Sequence, residues 1–275
     1  MTEQALTLVA GGTGKTGRRV AERLEARGVP VRVGSRSANP RFDWADPRTW
    51  APALSGVAAM YLAYHPDLAY PGAAQKIAEL AALAEAAGVR RVVLLSGRGE
   101  PTAHAAELGV RESGMAWTVL RAAWLDQNFS EGEFADSVRE GVIALPAGDV
   151  AEPFLDADDI ADVAVTALTE GGHDGRIYEL TGPRLLTFAE VAEEIGRASG
   201  RSVEYVPTTA EEFRAAVAGV LPADQAKLLT ELFAVTLDGR NAHLTDDVPH
   251  VLGRPATDFA EYAARAAASG AWSPR

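Results

Sequence analysis

Residues 6–17 read Leu6-Thr7-Leu8-Val9-Ala10-Gly11-Gly12-Thr13-Gly14-Lys15-Thr16-Gly17. A compact apolar run enters a glycine loop. Beyond the loop, Val20, Ala21 and Leu24 recur on one face of a helix expected over Thr16–Ala26. Gly11, Gly14 and Gly17 give the spacing G-x-x-G-x-x-G between strand and helix, the setting in which such glycines cradle a dinucleotide. Gly11 allows the tight turn, Gly14 lets backbone approach a pyrophosphate, and Gly17 lets the helix pack on the strand. The helix N-terminus then offers free N–H groups and a positive dipole end to phosphates. A ligand-free glycine turn is the plainer alternative. A P-loop is excluded, because the glycine required before Gly14-Lys15-Thr16 would fall at Val9.

The same alternation continues outward. Val31–Val33, Val57–Leu62, Arg91–Ser96 and Trp117–Leu120 read as buried strands, and Gln75–Ala87 as a helix stopped at Gly88. Strands alternating with helices imply right-handed crossovers and a parallel sheet covered on both faces. Beyond about residue 122 the pattern loosens. Asp158–Leu168 is an amphipathic helix with Asp156 or Asp158 as N-cap, and Ile177–Leu180 a short strand. Capping boxes open helices at Thr187-Phe188-Ala189-Glu190 and Thr209-Ala210-Glu211-Glu212. Pro222–Leu237 and Asp258–Ala268 read as further helices. The expected fold is α/β, a Rossmann-type doubly wound parallel sheet over residues 1–155. Residues 156–275 should form a smaller, mostly helical substrate-binding lobe, packed on the first part and interleaved with it.

Composition narrows the function. The 275 residues carry 26 Lys+Arg against 38 Asp+Glu, a net charge of −12, and no cysteine. Disulfides, a thiolate nucleophile and a Cys-ligated metal are excluded. The acidic balance argues against nucleic acid or an anionic membrane as partner. Met1–Gln4 is polar and Ala5–Ala10 too short for a signal-peptide core. No apolar stretch reaches membrane-spanning length. A cytoplasmic monomer or homodimer acting on a small molecule is expected. No His/Asp/Glu set has metal-ligand spacing, so no metal is expected.

The segment Val31-Arg32-Val33-Gly34-Ser35-Arg36 carries no acid at the position where an NAD site binds ribose hydroxyls. Ser35 and Arg36 can instead hold a 2′-phosphate, with Lys15 adding to that pocket. NADPH is expected over NADH, although Arg36 also reads as a solvated surface arginine. Thr13, Thr16, Ala63 and Tyr64 complete the expected cofactor site.

With these residues in place, the chain resembles the NmrA-like group of atypical short-chain dehydrogenases/reductases. The resemblance rests on the Gly11–Gly17 loop, Ser35-Arg36, the Val92–Ser96 strand after Gly88-Val89-Arg90, Leu120–Phe129 (LRAAWLDQNF) and Asp156–Val163 (DADDIADV), in that order. It implies a Rossmann domain with a small C-terminal lobe, ligand at the carboxyl ends of the strands, and a likeness to quinone reductases, some of whose relatives serve in aromatic polyketide tailoring.

Ordinary members of that superfamily use a Tyr with a Lys four residues later. Here the residues four beyond Tyr61, Tyr64, Tyr70, Tyr178, Tyr205 and Tyr262 are His65, Leu68, Ala74, Gly182, Thr209 and Ala266. The usual acid is absent. A quinone or enone tolerates this, because the anion left by hydride transfer is easily stabilised. His65 is the candidate proton donor, since imidazole titrates near neutrality. It reads equally as a strand-end residue capping a turn. Ser96 is the second catalytic candidate, able to bond a substrate carbonyl or the nicotinamide ribose, or simply to satisfy a turn. Trp124, Phe129 and Phe154 are expected to wall a flat aromatic site, although aromatics more often form core. Asn128 either orients substrate or ties its own loop. Arg121 reads as an anchor for backbone or carboxylates rather than for substrate, and His104 as a surface helix residue. Asp156, Asp158 and Asp159 are better explained by capping than by metal binding. The leading reading is an NADPH-dependent reductase of a quinone-like or aromatic polyketide-derived carbonyl. The alternatives are a dinucleotide-sensing regulator acting through a protein partner, and an isomerase or dehydratase that retains its cofactor.

Overall fold

The computed structural model describes residues 6–132, 134–219 and 221–273. The Met1–Gln4 stretch lies outside the described residues. In chain order the elements of the first half are β1 (Leu6–Ala10), α1 (Lys15–Ala26), β2 (Val31–Gly34), α2 (Trp50–Leu54), β3 (Val57–Leu62), α3 (Ala73–Ala86), β4 (Arg91–Gly97), α4 (Pro101–Arg111) and β5 (Ala116–Ala122). There follow α5 (Asn128–Glu131), α6 (Ala135–Glu140), β6 (Val142–Leu145), β7 (Ala151–Glu152), α7 (Ala157–Thr169), β8 (Arg176–Leu180), β9 (Leu186–Thr187) and α8 (Phe188–Ser199). The chain closes with β10 (Glu204–Pro207), α9 (Ala210–Val217), α10 (Ala223–Thr236), α11 (Asp247–Leu252) and α12 (Phe259–Ala268).

Six parallel strands form the central sheet in the order β2-β1-β3-β4-β5-β8. Successive strand residues point to opposite faces. Leu8, Met60, Leu62, Val92 and Leu94 therefore pack with Ile77, Leu80, Ala106 and Val110 of α3 and α4. Val9, Tyr61, Val93 and Leu120 pack on the other side with Val20 and Leu24 of α1 and Ile160 and Ala164 of α7. This is the doubly wound, Rossmann-like sheet. Its strand order reverses between β1 and β3, so the crevice for ligand opens at their carboxyl ends. The α7 and β8 segments, beyond residue 155, belong to the main sheet and its covering layer.

A third core gathers Phe129, Phe154, Phe188, Phe233, Phe259 and Trp272. Around it, β6 pairs with β10 in parallel and β7 with β9 antiparallel. These short pairs and α2 carry too few residues to set up a period, which is why the sequence does not declare them. The capping signals are reproduced. Asp156 caps α7, accepting from Asp158 N at 2.8 Å. Thr187 with Glu190 and Thr209 with Glu212 form closed capping boxes. Asp158 and Asp159 serve ion pairs, with Arg23 at 2.7 Å and Arg254 at 2.7 Å.

Leu24 is fully buried where α1 meets the sheet beside α7. Leu24→Ala is expected to cost about 2–5 kcal/mol in urea unfolding, through lost burial and the cavity left behind.

Candidate functional site

The glycine loop is dictated by backbone crowding. Gly11 has φ +78°, a conformation that L side chains avoid, and a Cβ there would lie 2.7 Å from Ala63 O. A Cβ on Gly17 would lie 2.2 Å from Gly11 O. Gly12, outside the G-x-x-G-x-x-G spacing, is as constrained: its Cβ would meet Val9 O at 2.7 Å and Val33 Cγ1 at 2.9 Å. The amides of Gly11 and Gly12 both donate to Gly34 O, at 3.1 and 3.2 Å. Gly14 differs. Its Cβ would touch only Gly11 O, at 3.3 Å, so internal packing hardly requires glycine there. Gly14 and Thr13 are exposed. The first turn of α1 carries neither a side-chain cap nor an acidic residue. Its free N–H groups and dipole end suit an anion, so the loop fits the pyrophosphate of a dinucleotide.

Some expected side-chain roles are corrected. Thr16 is buried, its hydroxyl accepting from Tyr61 OH at 3.0 Å. Lys15 does not join Ser35 and Arg36. Its ammonium donates to Asn128 Oδ1 at 2.7 Å and faces a cavity that neither Ser35 nor Arg36 lines. Asn128 thereby ties α5 to the loop. Arg36 is exposed, and the Ser35 hydroxyl lies 3.3 Å from that of Ser37. Trp44, which sequence reasoning passed over, donates its indole N–H to Ala63 O at 3.2 Å and packs on Tyr64, ring centroids 4.8 Å apart.

The cavity measures about 600 Å³. Tyr64 and His65 after β3, Leu95–Gly97 of β4 and Ala122–Leu125 at the end of β5 form its floor. Its roof is α10, through Gln225, Leu229, Leu232, Phe233 and Thr236. Their spacing of 4, 3, 1 and 3 is one helical face, a signal present in the sequence that nothing there connected to the site. Trp124 lines the cavity with its ring centroid 5.4 Å from Phe233 and 6.0 Å from Phe134. Phe129 and Phe154, expected beside Trp124, do not line it; both are buried in the aromatic core behind that wall.

The polar floor is densely charged. Ser96 donates to Glu107 Oε1 at 2.7 Å, and Arg121 grips both oxygens of that fully buried carboxylate, at 2.9 and 2.8 Å. The Ser96 proton is thus committed, and the expectation that Ser96 donates to a ligand is corrected. Arg121 is the expected carboxylate anchor. His65 is exposed at the cavity edge. His104 lies half-buried on α4, away from the cavity lining. Three carboxyls missed from sequence also line the cavity: Asp67, Glu100 and Glu152. Burial, aided by the charge of Asp67, pushes Glu100 up to about 8. Burial raises Asp67 as well, against a hydrogen bond from Ala69 N. Burial pushes Glu152 up to about 7, with Arg98 opposing. Nothing in the sequence marks these acids, because their state depends on what covers them. Among the described residues no group of three or more His, Asp or Glu could hold a metal ion, and no helix is long and apolar enough to cross a membrane.

Comparison with known proteins follows the same lines. The model of a family described as NAD(P)H-binding matches residues 11–171. The chain is similar to an NAD(P)H azoreductase of Xenophilus azovorans, 37% identical over 97% of this chain and all of that one. It is also similar to the crystal structure of a new type of NADPH-dependent quinone oxidoreductase from Escherichia coli. That match is 25% identical with TM-score 0.73, covering 94% of this chain and 98% of the other. A triphenylmethane reductase of Citrobacter sp., complexed with NADP(H), shares the fold at 24% identity and TM-score 0.73, over 95% and 99% of the two chains.

Glu100 titrates at about 8 in the fold against its usual 4.5. The stability its protonated form contributes is therefore complete below pH 4.5 and is lost as pH rises through 8. Glu100→Gln removes that loss. Its Tm should exceed the wild type's by a few degrees at pH 9, roughly 1–3 kcal/mol, and match it at pH 4.

Proposed function

From the premise that this chain belongs to the NAD(P)H-binding family, among the NmrA-like atypical short-chain dehydrogenases/reductases, we propose that it is an NADPH-dependent reductase of flat aromatic acceptors. Quinone-like compounds, azo compounds and aromatic polyketide-derived carbonyls are the substrate classes. That the chain is an NAD(P)H-dependent oxidoreductase follows from the family and its relatives; the acceptor and the preference for NADPH are our reading. The observation that carries it is the cavity itself. It runs from Lys15 at the glycine loop, over the strand ends, to an aromatic wall of Trp124, Phe134 and Phe233. Such a site suits a planar ring.

In this reading Gly11–Gly17 hold the pyrophosphate through backbone N–H groups, while Ala63 and Tyr64 border the cofactor. Arg36 and Ser35 take the 2′-phosphate. Arg36 is exposed, which leaves its guanidinium available to a phosphate. Bound NADPH supplies the hydride. His65 gives a proton from a ring nitrogen to the reduced acceptor. Glu100, pushed up to about 8 by burial and the charge of Asp67, restores it. Ser96, whose proton goes to Glu107, acts as an acceptor that orients a ligand hydroxyl. Trp124 and Phe134 stack the acceptor ring, and Asn128 holds Lys15 at the edge of the site. The core around Phe129 and Phe154 supports this wall, and we read the segment beyond residue 155 that builds on it as the substrate lobe.

Consumption of NADPH and NADH should be measured against benzo-, naphtho- and anthraquinones and azo dyes, with product analysis. Turnover favouring NADPH is expected. Oxidation of NADPH by none of them, with tight NADPH binding retained, would favour a sensor over a reductase. Arg36→Asp should weaken NADPH binding by about 10- to 100-fold and leave NADH nearly unaffected, the loss of a charge-assisted phosphate contact. Gly14→Ala should melt close to wild type yet bind NADPH at least about tenfold more weakly, because a Cβ there fills ligand space rather than core.

A further inference from the structure

One end of the cavity lies beneath the C-terminus of α10 and holds two side chains whose hydrogen bonding is incomplete. Arg98 follows β4, and its side chain is 1% exposed. Its Nε donates to Glu179 Oε2 at 3.2 Å and its Nη1 to Asn241 O at 2.8 Å. Asn241 in turn donates to Thr236 O and Arg98 O, both at 3.3 Å, fastening this corner to α10. Arg98 Nη2 has no hydrogen-bond partner among the described residues. Glu152, on β7, is 0% exposed, and neither of its carboxyl oxygens has one. Both residues line the cavity. Buried polar atoms left unpaired are costly and rare in folded proteins. Three of them on two neighbouring side chains mark a place completed by a ligand group.

The chemistry of the pair selects that group. Arg98 Nη2 can only donate. Glu152 can accept, and its charged neighbours are Arg98 and Asp238. A ligand carboxylate would satisfy Arg98 but would lie against Glu152, Asp238 and the negative end of α10. A ligand ammonium would satisfy Glu152 but face a guanidinium. A neutral hydroxyl fits both, since its oxygen accepts from Arg98 Nη2 while its hydrogen is donated to Glu152. A methoxy group could do only the first.

We propose that Arg98 and Glu152 form a hydroxyl-recognition pair, so that the preferred acceptor is an aromatic ring system carrying a phenolic hydroxyl remote from the group being reduced. The inference rests on reading this cavity as the acceptor site. Beside the pair, the wall formed by Trp124 and the α10 roof is apolar or aromatic, through Trp124, Leu229, Leu232 and Phe233. The hydroxyl therefore fixes the orientation of a substrate whose flat faces give little.

The test uses the protein with NADP+ bound, which carries no hydride to transfer, so that binding is read without turnover. Four ligands are compared by quenching of tryptophan fluorescence, which Trp124 reports: 1,4-naphthoquinone and its 6-hydroxy, 6-methoxy and 6-carboxy derivatives. In the wild type the hydroxy compound should bind at least about tenfold more tightly than the other three. In Glu152→Leu that advantage should vanish while 6-methoxy binding persists, and the variant should melt no lower than wild type because it removes an unsatisfied buried carboxyl. Glu152→Gln, which keeps an acceptor, should retain part of the advantage. Donation of the hydroxyl to the ionised carboxylate favours that form. Binding of the hydroxy compound near pH 7 should then release a fraction of a proton in the wild type and none in Glu152→Gln, read by calorimetry in two buffers of different ionisation enthalpy. Equal binding of the four ligands, strongest binding of the carboxylate, or a hydroxyl advantage that survives in Glu152→Leu would overturn the pair. NADPH-driven turnover of the four quinones alike would sink the pair and leave the reductase standing. Hydroxyl-selective binding with no turnover would do the reverse.

Discussion

The carboxyl ends of β4, β5 and β8 are held in place by a carboxylate with no access to water. Glu107 reaches from α4 under the cavity floor, where Arg121 takes both of its oxygens and Ser96 takes one. Arg121 then approaches Glu179 of β8 at 3.5 Å, and Glu179 also receives Arg98. Two arginines, two glutamates and Ser96 thus join three strands, one helix and the loop leading to α4. Removing one partner of so buried a pair would leave an uncompensated charge, a loss of about 3–5 kcal/mol. The arrangement fixes the floor, takes the proton of Ser96, and leaves only one guanidinium nitrogen of Arg98 unengaged. The polarity of the cavity follows from it.

The glycine loop imposes a second constraint of a different kind. Gly11, Gly12 and Gly17 are glycines because Ala63 after β3, Val9 of β1 with the Val33 side chain of β2, and the loop's own Gly11, respectively, come within contact distance of where a Cβ would stand. Gly14 is the exception, and its neighbourhood inside the protein is open. The loop separates glycines that fold the chain from one whose surroundings are open, the one we propose faces the cofactor. The α1 helix it launches is then tied to α7 by Arg19 and Arg23 meeting Asp158 and Asp162, so the phosphate-facing end of α1 rests on a rigid pair of helices.

A reductase without the Tyr and Lys of its superfamily needs another source of protons. In the reading proposed above, the cavity offers one in carboxyls rather than in a phenol. Asp67, Glu100 and Glu152 come from three different segments, and burial raises all of them. In water each would be a carboxylate; in the cavity, burial pushes Glu100 up to about 8 and Glu152 up to about 7 and raises Asp67. In that reading the covering helix brings apolar surface for an aromatic ring, and the buried carboxyls bring acid for its reduction.

The strand–glycine–helix opening, the alternation of buried runs with amphipathic helices and the capping residues Asp156, Thr187 and Thr209 are local signals. The fold was legible from them because each depends on residues a few positions apart. The pairing of Arg121 with a carboxylate was legible in kind, though not the identity of Glu107. What the sequence could not express are the contacts made across it. Lys15 turned to Asn128 rather than to Arg36, Thr16 spent its hydroxyl on Tyr61, and Phe129 and Phe154 went into the core while Phe134 and Phe233 reached the cavity. The protonation of Glu100 and Glu152 likewise depends on desolvation by α10 and its neighbours, more than a hundred and about seventy residues away along the chain. Local periodicity determined the sheet and its dinucleotide loop; only the tertiary structure, by deciding which side chains lose water together, decided the chemistry of the cavity.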